Sequence, residues 1–447
     1  APNLVNDVTI EQARCQSVTK VNHQHMSTIG VSFGPAGNLT PDSNNCWPEP
    51  TKRSDESWGN PLLNSIASNL ARVDDLWHAA FNSAGYFISS QNSSSLLAEL
   101  SEIFGAISQT STTGSIGSLA GGRVDRDNYF FMSRFDLTNR SGDLLAFTID
   151  GETGRLSDSP AWSASNVRAN TNNRQILSFN SQTQRGVRLT GDTAGAALLA
   201  DTQRQRLFPS EQGPAQLEQT AQWLARLTAA PLGPLVHSNP TFVGDPARLK
   251  INQSAPGAAE YAEFRQQTKR RAMVYVGGND GLLHGFDAQT GEELMSYLPS
   301  AILDENLPLT TTGYISRVDG PIVVEDAYIP ERGGWRTILV AGFRYGGTGY
   351  FALDVTDPEQ LTGPNAAEAV LWEFSTSGVV QLDSAQVGQD LGFSYNRAAL
   401  GAMHNGRWAA VFGNGYNSES GEASLFILDL QSGKVINRLN TGITADQ

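Results

Sequence analysis

From Asp127 onward, short apolar runs alternate with polar turns that contain glycine. In MVYVGGNDGLLHGFDAQTGEELMSYLP (Met273–Pro299), an apolar run meets a Gly-Gly-Asn-Asp-Gly turn. A second run ends at Asp287, a Thr-Gly turn follows, and a third run leads to the proline. This pattern predicts three strands joined by tight turns, because glycine supplies positive φ while Asp and Thr side chains bond the local backbone.

The same unit recurs three more times. It reads LLAFTIDGETG at Leu144–Gly154 with Trp162 downstream, Leu353-Asp354 followed by Leu371–Phe374, and LFILDLQSG at Leu425–Gly433. Repeated units of this kind are typical of β-propeller blades, although the hairpins of a β-sandwich are the alternative. The units stand further apart than the roughly 40 to 50 residues of ordinary blades, so the blades carry insertions or one blade lacks the signature. The turn residues given a structural role are Gly278, Asp280, Gly281, Asp287, Gly291, Asp354, Asp429 and Gly433.

Residues 1–112 follow a different pattern. Met26–Phe33 and Gly85–Ile88 are predicted strands, and Pro61–Phe81 carries an apolar stripe at helical spacing. Two further helices are predicted at Asp7–Val18 and Ser93–Ile107. Strands alternating with helices indicate an α/β domain. The sequence therefore divides into an α/β domain at 1–112, a Ser/Thr/Gly-rich linker at 113–126 and a mainly β domain at 127–447.

Composition narrows the classes of partner. The chain has 447 residues and a formal net charge of −14, with Lys269–Arg271 as its one basic run. A nucleic-acid partner is not expected, because a phosphate surface needs a concentrated basic patch. No apolar run reaches the roughly 20 residues that span a bilayer, so no integral membrane segment is expected. The chain begins without Met and stops just after a predicted strand, which we interpret as a fragment of a longer protein.

The two cysteines, Cys15 and Cys46, fit neither a redox pair nor a metal knuckle. We predict a disulfide between them, with two free thiols as the alternative. Such a bond would stabilise the fold by roughly 3 to 4 kcal/mol on the chain-entropy estimate. It would also place the chain in an oxidising compartment.

Polar motifs give no catalytic, cofactor-binding or metal site. His23 and His25 form an H-x-H pair without a nearby carboxylate or thiol, and His284 in GLLHGFD is interpreted as a packed or hydrogen-bonded histidine. The glycine-rich Gly342–Gly349 is followed by a strand rather than the helix that would bind phosphate. The acidic turn residues lack the D-x-D-x-D spacing of a calcium loop. These residues are Asp125, Asp127, Asp150, Glu152, Asp280, Asp287 and Asp319.

Taken together, the motifs resemble the PilY/PilC family of type IV pilus biogenesis factors and tip adhesins. The resemblance is carried by Val274–Pro299, by GGTGYFALDVTDP (Gly346–Pro358) and by VFGNGYNS (Val411–Ser418). Further matches are Arg140–Phe147, His237–Gly244, Leu371–Phe374, Leu425–Val435 and Asp74–Phe87.

The resemblance implies a modified, quinoprotein-like β-propeller with insertions, preceded by the last part of a von Willebrand factor A-like domain at residues 1–112. It implies a non-enzymatic protein at the pilus tip, outside a Gram-negative cell, that primes assembly with minor pilins, antagonises retraction and attaches to host or abiotic surfaces. Family members carry a calcium loop in the propeller, and this chain is expected to stop before it.

The alternative function is a pyrroloquinoline-quinone-dependent dehydrogenase of the same propeller type. The D-x-x-T-G turns resemble the docking repeats of those enzymes. The vicinal Cys-Cys pair that many of them contain is absent from this sequence. Quinone absorbance in the purified protein would favour the enzyme, and co-purification with minor pilins would favour the pilus protein.

Overall fold

The computed structural model describes most of the C-terminal part of the chain and shorter segments of the N-terminal part. The chain divides into two compact units, Ala1–Thr112 and Thr113–Gln447. The described residues are 28–33, 37–39, 58, 66–82, 86–90, 113–119, 129–136, 140–150, 153–169, 174–246, 255–307, 315–376 and 385–444.

The first unit contains a parallel β-α-β arrangement. Strand β1 (Ile29–Phe33) pairs in parallel with β2 (Tyr86–Ser90), and helix α1 (Ile66–Asn82) connects them. Parallel strands need such a crossover, so the pairing follows from the strand-helix-strand pattern. The buried carboxylate of Asp74 accepts hydrogen bonds from the backbone of Asn38 and Leu39 at 2.8 and 3.2 Å.

These elements correspond to the strands and the helix that the sequence predicts in this region. The predicted helices at Asp7–Val18 and Ser93–Ile107 lie outside the described residues. The assignment of residues 1–112 to a von Willebrand factor A-like domain stays a prediction.

The second unit is mainly β. Its strands are β3 (Thr113–Leu119), β4 (Tyr129–Asp136), β5 (Ser141–Thr148), β6 (Trp162–Ser163), β7 (Ile176–Asn180), β8 (Arg185–Leu189), β9 (Thr241–Val243), β10 (Met273–Gly277), β11 (Leu283–Asp287), β12 (Glu293–Leu298), β13 (Ile322–Ile329), β14 (Gly334–Gly342), β15 (Arg344–Thr348), β16 (Tyr350–Asp354), β17 (Val370–Phe374), β18 (Phe393–Ser394), β19 (Ala399–Ala402), β20 (Trp408–Gly413), β21 (Glu422–Asp429) and β22 (Val435–Thr444). Its helices are α2 (Ala164–Ala169), α3 (Thr193–Ala196), α4 (Asp201–Leu207), α5 (Gly213–Ala229), α6 (Tyr261–Gln267), α7 (Pro358–Thr362) and α8 (Ala385–Asp390).

Four antiparallel meanders of four strands account for most of these elements. Blade 1 is β3-β4-β5-β6, blade 2 is β9-β10-β11-β12, blade 3 is β13-β14-β16-β17, and blade 4 is β19-β20-β21-β22. The mainly β, propeller-type fold predicted from the sequence is confirmed. Blades 2, 3 and 4 follow one another in the chain, so the wide spacing of their signatures comes from long connections rather than from a blade without the signature.

Neighbouring blades pack face to face, and the second strands of blades 2 and 3 each contribute side chains to two cores. In β10, Val274 and Val276 contribute to the core with blade 1, whereas Met273 and Tyr275 contribute to the core with blade 3. The strand alternates because successive side chains point to opposite faces of a sheet. Strand β14 does the same, with Leu339 and Ala341 facing blade 2 and Ile338 and Val340 facing blade 4.

An insertion separates blade 1 from blade 2. It carries the β7–β8 hairpin and helices α2 to α5, and β7 pairs in parallel with the outer strand β12 of blade 2. The buried face of helix α5 packs in a separate core with Leu298 and Leu303.

The structure differs from the predicted linker at residues 113–126. Residues 113–119 form strand β3, which pairs with β4 along its whole length. The Ser/Thr/Gly-rich composition predicts a loop, but a ladder of backbone hydrogen bonds does not depend on apolar side chains. We infer that pairing with the aromatic strand β4 outweighs the weak β propensity of this segment.

Candidate functional site

Each blade has two chemically different ends. The connection between its third and fourth strands holds the Asp turn, and we name this end the turn end. The connection between its second and third strands lies at the opposite end because antiparallel strands reverse direction. We name this the loop end, and the connections between successive blades also lie there.

The predicted Asp residues close the turns at the turn end. The Asp287 carboxylate accepts hydrogen bonds from the backbone of Gln289 and Thr290 at 2.7 and 2.9 Å. The Asp429 carboxylate accepts from the backbone and hydroxyl of Ser432 at 2.9 and 2.7 Å. Asp354 accepts from the backbone of Thr356 at 3.1 Å. Asp and Thr or Ser therefore lock three successive turns by the same local bonding.

Two of these turns also bind a tryptophan from the preceding blade. Trp162 donates its indole N–H to the carbonyl of Ala288 at 3.0 Å, and Trp372 donates to the carbonyl of Leu430 at 2.8 Å. A Cβ at Gly291 would stand 2.6 Å from the Trp162 ring, and a Cβ at Gly433 would stand 2.6 Å from the Trp372 ring. Both glycines have positive φ. Glycine is thus required for the turn and for the approach of the indole.

Three predicted turn residues lie instead at the loop end of blade 2. Gly281 has a φ of 93°, which favours glycine. Asp280 is more than a turn former, because its carboxylate accepts from the backbone of Gly233 at 3.0 Å and contacts His284 Nε2 at 3.1 Å. A Cβ at Gly278 would collide with both Asp280 and His284.

Asp280, whose side chain is 13% exposed, belongs to an otherwise buried set of five charged side chains. We name this set the charge cluster: Arg168, Arg174, Asp280, His284 and Glu293. The Glu293 carboxylate accepts from Arg168 Nη1 at 3.1 Å, from Arg174 Nε at 3.1 Å and from His284 Nδ1 at 2.7 Å. The two arginines also donate to backbone carbonyls of Leu227 and Ala230 at the end of α5. The charge cluster therefore joins the insertion to blade 2.

Both ring nitrogens of His284 face a carboxylate. Carboxylates only accept hydrogen bonds when ionised, so the ring donates from both nitrogens and is an imidazolium. Burial lowers the pKa of His284, but the charge of Asp280 and the hydrogen bonds to Asp280 and Glu293 outweigh burial and raise the pKa above its usual value. Burial raises the pKa of Glu293, and Arg174 with His284 outweighs burial and holds that pKa well below its usual value. The charge cluster leaves no ring nitrogen for proton transfer to a ligand.

A second buried carboxyl lies where blades 2 and 3 meet. Glu373 accepts hydrogen bonds from the Tyr297 hydroxyl, the Ser300 hydroxyl and the Ser300 backbone, the last at 2.7 Å. Burial raises the pKa of Glu373, and the donors from Ser300 and Tyr297 offset only part of that rise. The pKa of Tyr297 is raised as well, first by burial and then by the charge of Glu373. All of these groups are internal, which is typical of a structural network.

One histidine of the loop end reaches solvent. His237 is 41% exposed on its side chain, and its Nδ1 lies 2.6 Å from the fully buried carboxylate of Asp319. The backbone N–H of His237 donates to the same carboxylate at 2.8 Å. Asp319 therefore fixes the ring and connects the start of blade 2 with the start of blade 3.

Several predicted residues cannot be placed. Cys15, Cys46, His23 and His25 lie outside the described residues, as do Asp125, Asp127 and Glu152. Within the described ranges, no group of three or more His, Cys, Asp or Glu side chains is arranged to hold a metal ion. No helix in those ranges combines the length and the apolar character needed to cross a membrane.

The comparisons with known proteins agree with the blade architecture. Residues 232–445 match the family model of the PilY1 beta-propeller domain. The chain is 30% identical over 446 residues to a type IV pilus biogenesis factor PilY1 of Pseudomonas aeruginosa, which covers 93% of this chain and 37% of the relative. It is 33% identical to a PilY1 homolog of Xylella fastidiosa over 70% of this chain and 24% of that relative.

Among solved structures, the Pseudomonas aeruginosa PilY1 C-terminal domain matches with 35% identity and a TM-score of 0.35, over 46% of this chain and 38% of that one. The chain thus spans a little over a third of the length of its Pseudomonas relative. On the family model and on the identity over nearly its whole length, the chain belongs to the PilY/PilC family.

Proposed function

We propose that the protein acts at the tip of a type IV pilus. There it primes pilus assembly with minor pilins, antagonises retraction and attaches the cell to host or abiotic surfaces. The observation that carries the proposal is the 30% identity over 93% of the chain to a relative named as a type IV pilus biogenesis factor. The proposed location is extracellular, reached through the periplasm and outer membrane of a Gram-negative bacterium.

The two buried polar networks of the described residues support a binding role rather than catalysis. Enzymes need acids or bases that can reach a substrate. Here the buried His284 is bound on both nitrogens, and the buried Glu373 accepts from three internal donors. We therefore prefer a non-enzymatic protein to a pyrroloquinoline-quinone-dependent dehydrogenase, the second candidate, which the D-x-x-T-G turns favour. The loop-end connections are the contact surface that we propose, because loops on a rigid scaffold usually carry binding residues.

Three finer parts of the proposal depend on the sequence alone. They are the von Willebrand factor A-like identity of residues 1–112, the disulfide between Cys15 and Cys46, and a calcium loop elsewhere in the full-length protein. The disulfide is tested by mass spectrometry of peptides from non-reduced protein, in which a Cys15–Cys46 cross-linked peptide is expected. Two alkylated single-cysteine peptides would show free thiols.

Deletion of the gene in its native host tests the function. We expect few or no surface pili by electron microscopy, restored piliation when a pilus-retraction ATPase gene is also deleted, and co-purification of minor pilins with the tagged full-length protein. Normal piliation and normal attachment in the deletion strain would refute the proposal. A quinone absorbance band in purified full-length protein, with dye-linked alcohol oxidation, would establish the dehydrogenase instead.

A further inference from the structure

Three tyrosine rings are exposed together at the loop ends of blades 3 and 4. Tyr345, Tyr395 and Tyr416 are 65%, 39% and 73% exposed, and no other Phe, Trp or Tyr side chain of the described residues is as exposed as these three. They come from three different connections, since Tyr345 follows β14, Tyr395 follows β18, and Tyr416 lies between β20 and β21. We name these three rings, with Arg344, the tyrosine patch.

Backbone pairing holds these connections together. Phe393 and Tyr416 exchange two backbone hydrogen bonds at 2.7 and 3.0 Å, and β15 pairs with β18 at Arg344 and Thr348. Between those two positions the ladder is interrupted, so β15 bulges and Tyr345 projects outward. The Tyr345 ring stacks on Phe393 with centroids 4.9 Å apart, and Tyr395 meets Tyr416 edge-on at 6.4 Å. The patch is a preorganised surface rather than a set of independent side chains.

The patch carries a positive charge for which the described residues provide no paired carboxylate. The Arg344 guanidinium lies 5.1 Å above the centroid of the Tyr395 ring. Among the residues that the structure describes, no Asp or Glu forms an ion pair with Arg344. This contrasts with a chain that has 45 acidic and 31 basic residues. The planar guanidinium presents parallel N–H donors, whose spacing matches the two oxygens of a carboxylate.

We propose that the tyrosine patch binds a carboxylated saccharide on the surface that the pilus contacts. A sugar ring has a face of C–H bonds with partial positive charge, which suits the negative face of an aromatic ring. Its hydroxyls need hydrogen-bond partners, and the exposed Asn396 and Asn417 directly follow Tyr395 and Tyr416. Its carboxylate would pair with Arg344. Exposed Tyr and Arg side chains also suit protein interfaces, so a purified minor pilin is the competing ligand in the test.

Arg344 allows a test that does not threaten folding. Its φ is 55°, a conformation that asparagine adopts more readily than arginine, so Arg344→Asn removes the charge without adding backbone strain. Arg140 in blade 1 has a φ of 51°, so Arg140→Asn is the matched control outside the patch. Tyr416→Ala removes the most exposed ring, and far-ultraviolet circular dichroism with a thermal melt verifies that each variant is folded.

The probes are 3′-sialyllactose, which carries a carboxylate, and lactose, which does not. By titration calorimetry and saturation-transfer NMR, we expect wild-type protein to bind sialyllactose more tightly than lactose. Arg344→Asn should weaken sialyllactose binding by about 10- to 100-fold, the loss of one charge-assisted contact, and leave lactose binding unchanged. Tyr416→Ala should weaken both, and Arg140→Asn neither.

Binding of neither sugar at millimolar concentration would overturn the inference. Equal binding by wild type and both patch variants would overturn it as well. If a purified minor pilin binds wild-type protein but not Tyr416→Ala, while neither sugar binds, the patch is a protein interface and the saccharide inference is wrong.

This inference rests on the proposed role in attachment, and a cell assay separates the two. A strain with Arg344→Asn and Tyr416→Ala in the full-length gene should keep normal pili but lose adherence to a sialylated surface. If the gene deletion abolishes pili and attachment while this strain adheres normally, the saccharide inference alone fails. If the deletion changes neither pili nor attachment, the proposed function itself fails.

Discussion

Gly291 and Gly154 offer a matched pair for measuring the contribution of the tryptophan contact between blades. Both close an Asp-x-x-Thr-Gly turn, and their φ angles are 73° and 68°. They differ in what surrounds them, because a Cβ at Gly291 would meet Trp162 at 2.6 Å while a Cβ at Gly154 would meet nothing within 4 Å. Alanine at either position therefore adds the same backbone strain, and at Gly291 alone it also displaces an indole ring.

The expected costs follow from that difference. A left-handed alanine costs about 1–2 kcal/mol, which is all that Gly154→Ala should lose. At Gly291 the collision adds overpacking of about 1–3 kcal/mol and weakens the indole hydrogen bond to Ala288, which contributes about 0.5–1.5 kcal/mol. We therefore expect Gly291→Ala to lower the free energy of unfolding by at least about 1 kcal/mol more than Gly154→Ala.

Urea unfolding followed by circular dichroism, together with scanning calorimetry of thermal unfolding, would measure the difference in unfolding free energy between the two variants. Amide and indole hydrogen exchange by NMR would show whether the Trp162 N–H loses protection in Gly291→Ala but not in Gly154→Ala. Equal destabilisation by the two substitutions, with Trp162 equally protected, would refute the idea that the glycine is needed for the ring.

Three further predictions concern buried polar groups. His284→Gln should lower the free energy of unfolding by about 3–5 kcal/mol because it breaks a buried ion pair. Since the pKa of His284 is raised in the folded protein, this loss should be full below about pH 6.5 and should shrink as pH rises through the folded-state pKa. Urea midpoints measured across pH would show this dependence. An unchanged cost up to pH 9 would contradict the imidazolium. Trp372→Phe should lower the free energy of unfolding by about 0.5–1.5 kcal/mol through its lost hydrogen bond. Trp408→Phe should lose no hydrogen-bond energy because the indole N–H of Trp408 has no partner among the described residues. Thermal melts in which Trp408→Phe is the less stable variant would count against the hydrogen bond of Trp372. Glu373→Gln should gain stability relative to wild type as pH rises above about 4.3. The raised pKa means that the folded protein must hold a proton on Glu373 that the unfolded chain releases. If the free energies of unfolding of the two proteins change in parallel with pH, Glu373 does not titrate in that range.

The parts of the fold that the sequence predicts are those set by local bonding. An Asp followed by Thr or Ser and then Gly closes its own turn, so the positions of Asp287, Gly291 and Gly433 could be assigned without any distant residue. The continuous apolar run Met273–Val276 likewise identifies β10, because a strand buried on both faces is apolar throughout. Helix α1 was visible from its stripe, since helical periodicity repeats over several turns.

The remaining features depend on contacts between distant parts of the chain. The sequence does not reveal that Trp162 packs on Gly291, because the two residues belong to different blades and are far apart in the chain. Asp280 was interpreted as a turn residue, and its bond to His284 within the charge cluster requires arginines from the insertion. The sequence did not predict the tyrosine patch, because its three tyrosines come from three separate connections and leave no local signature. The glycine-rich Gly342–Gly349, which contains Tyr345, was compared only with a phosphate-binding loop.

The alternation along β10 also limits where this chain can change in length. Adding or removing one residue inside that strand would exchange Val274 and Val276 with Met273 and Tyr275, so two cores would receive side chains of the wrong size at once. An addition to a connection between blades disturbs neither core. Changes in length are therefore expected in the connections between strands, and the long segment between blades 1 and 2, with its own hairpin and helices, is such a connection.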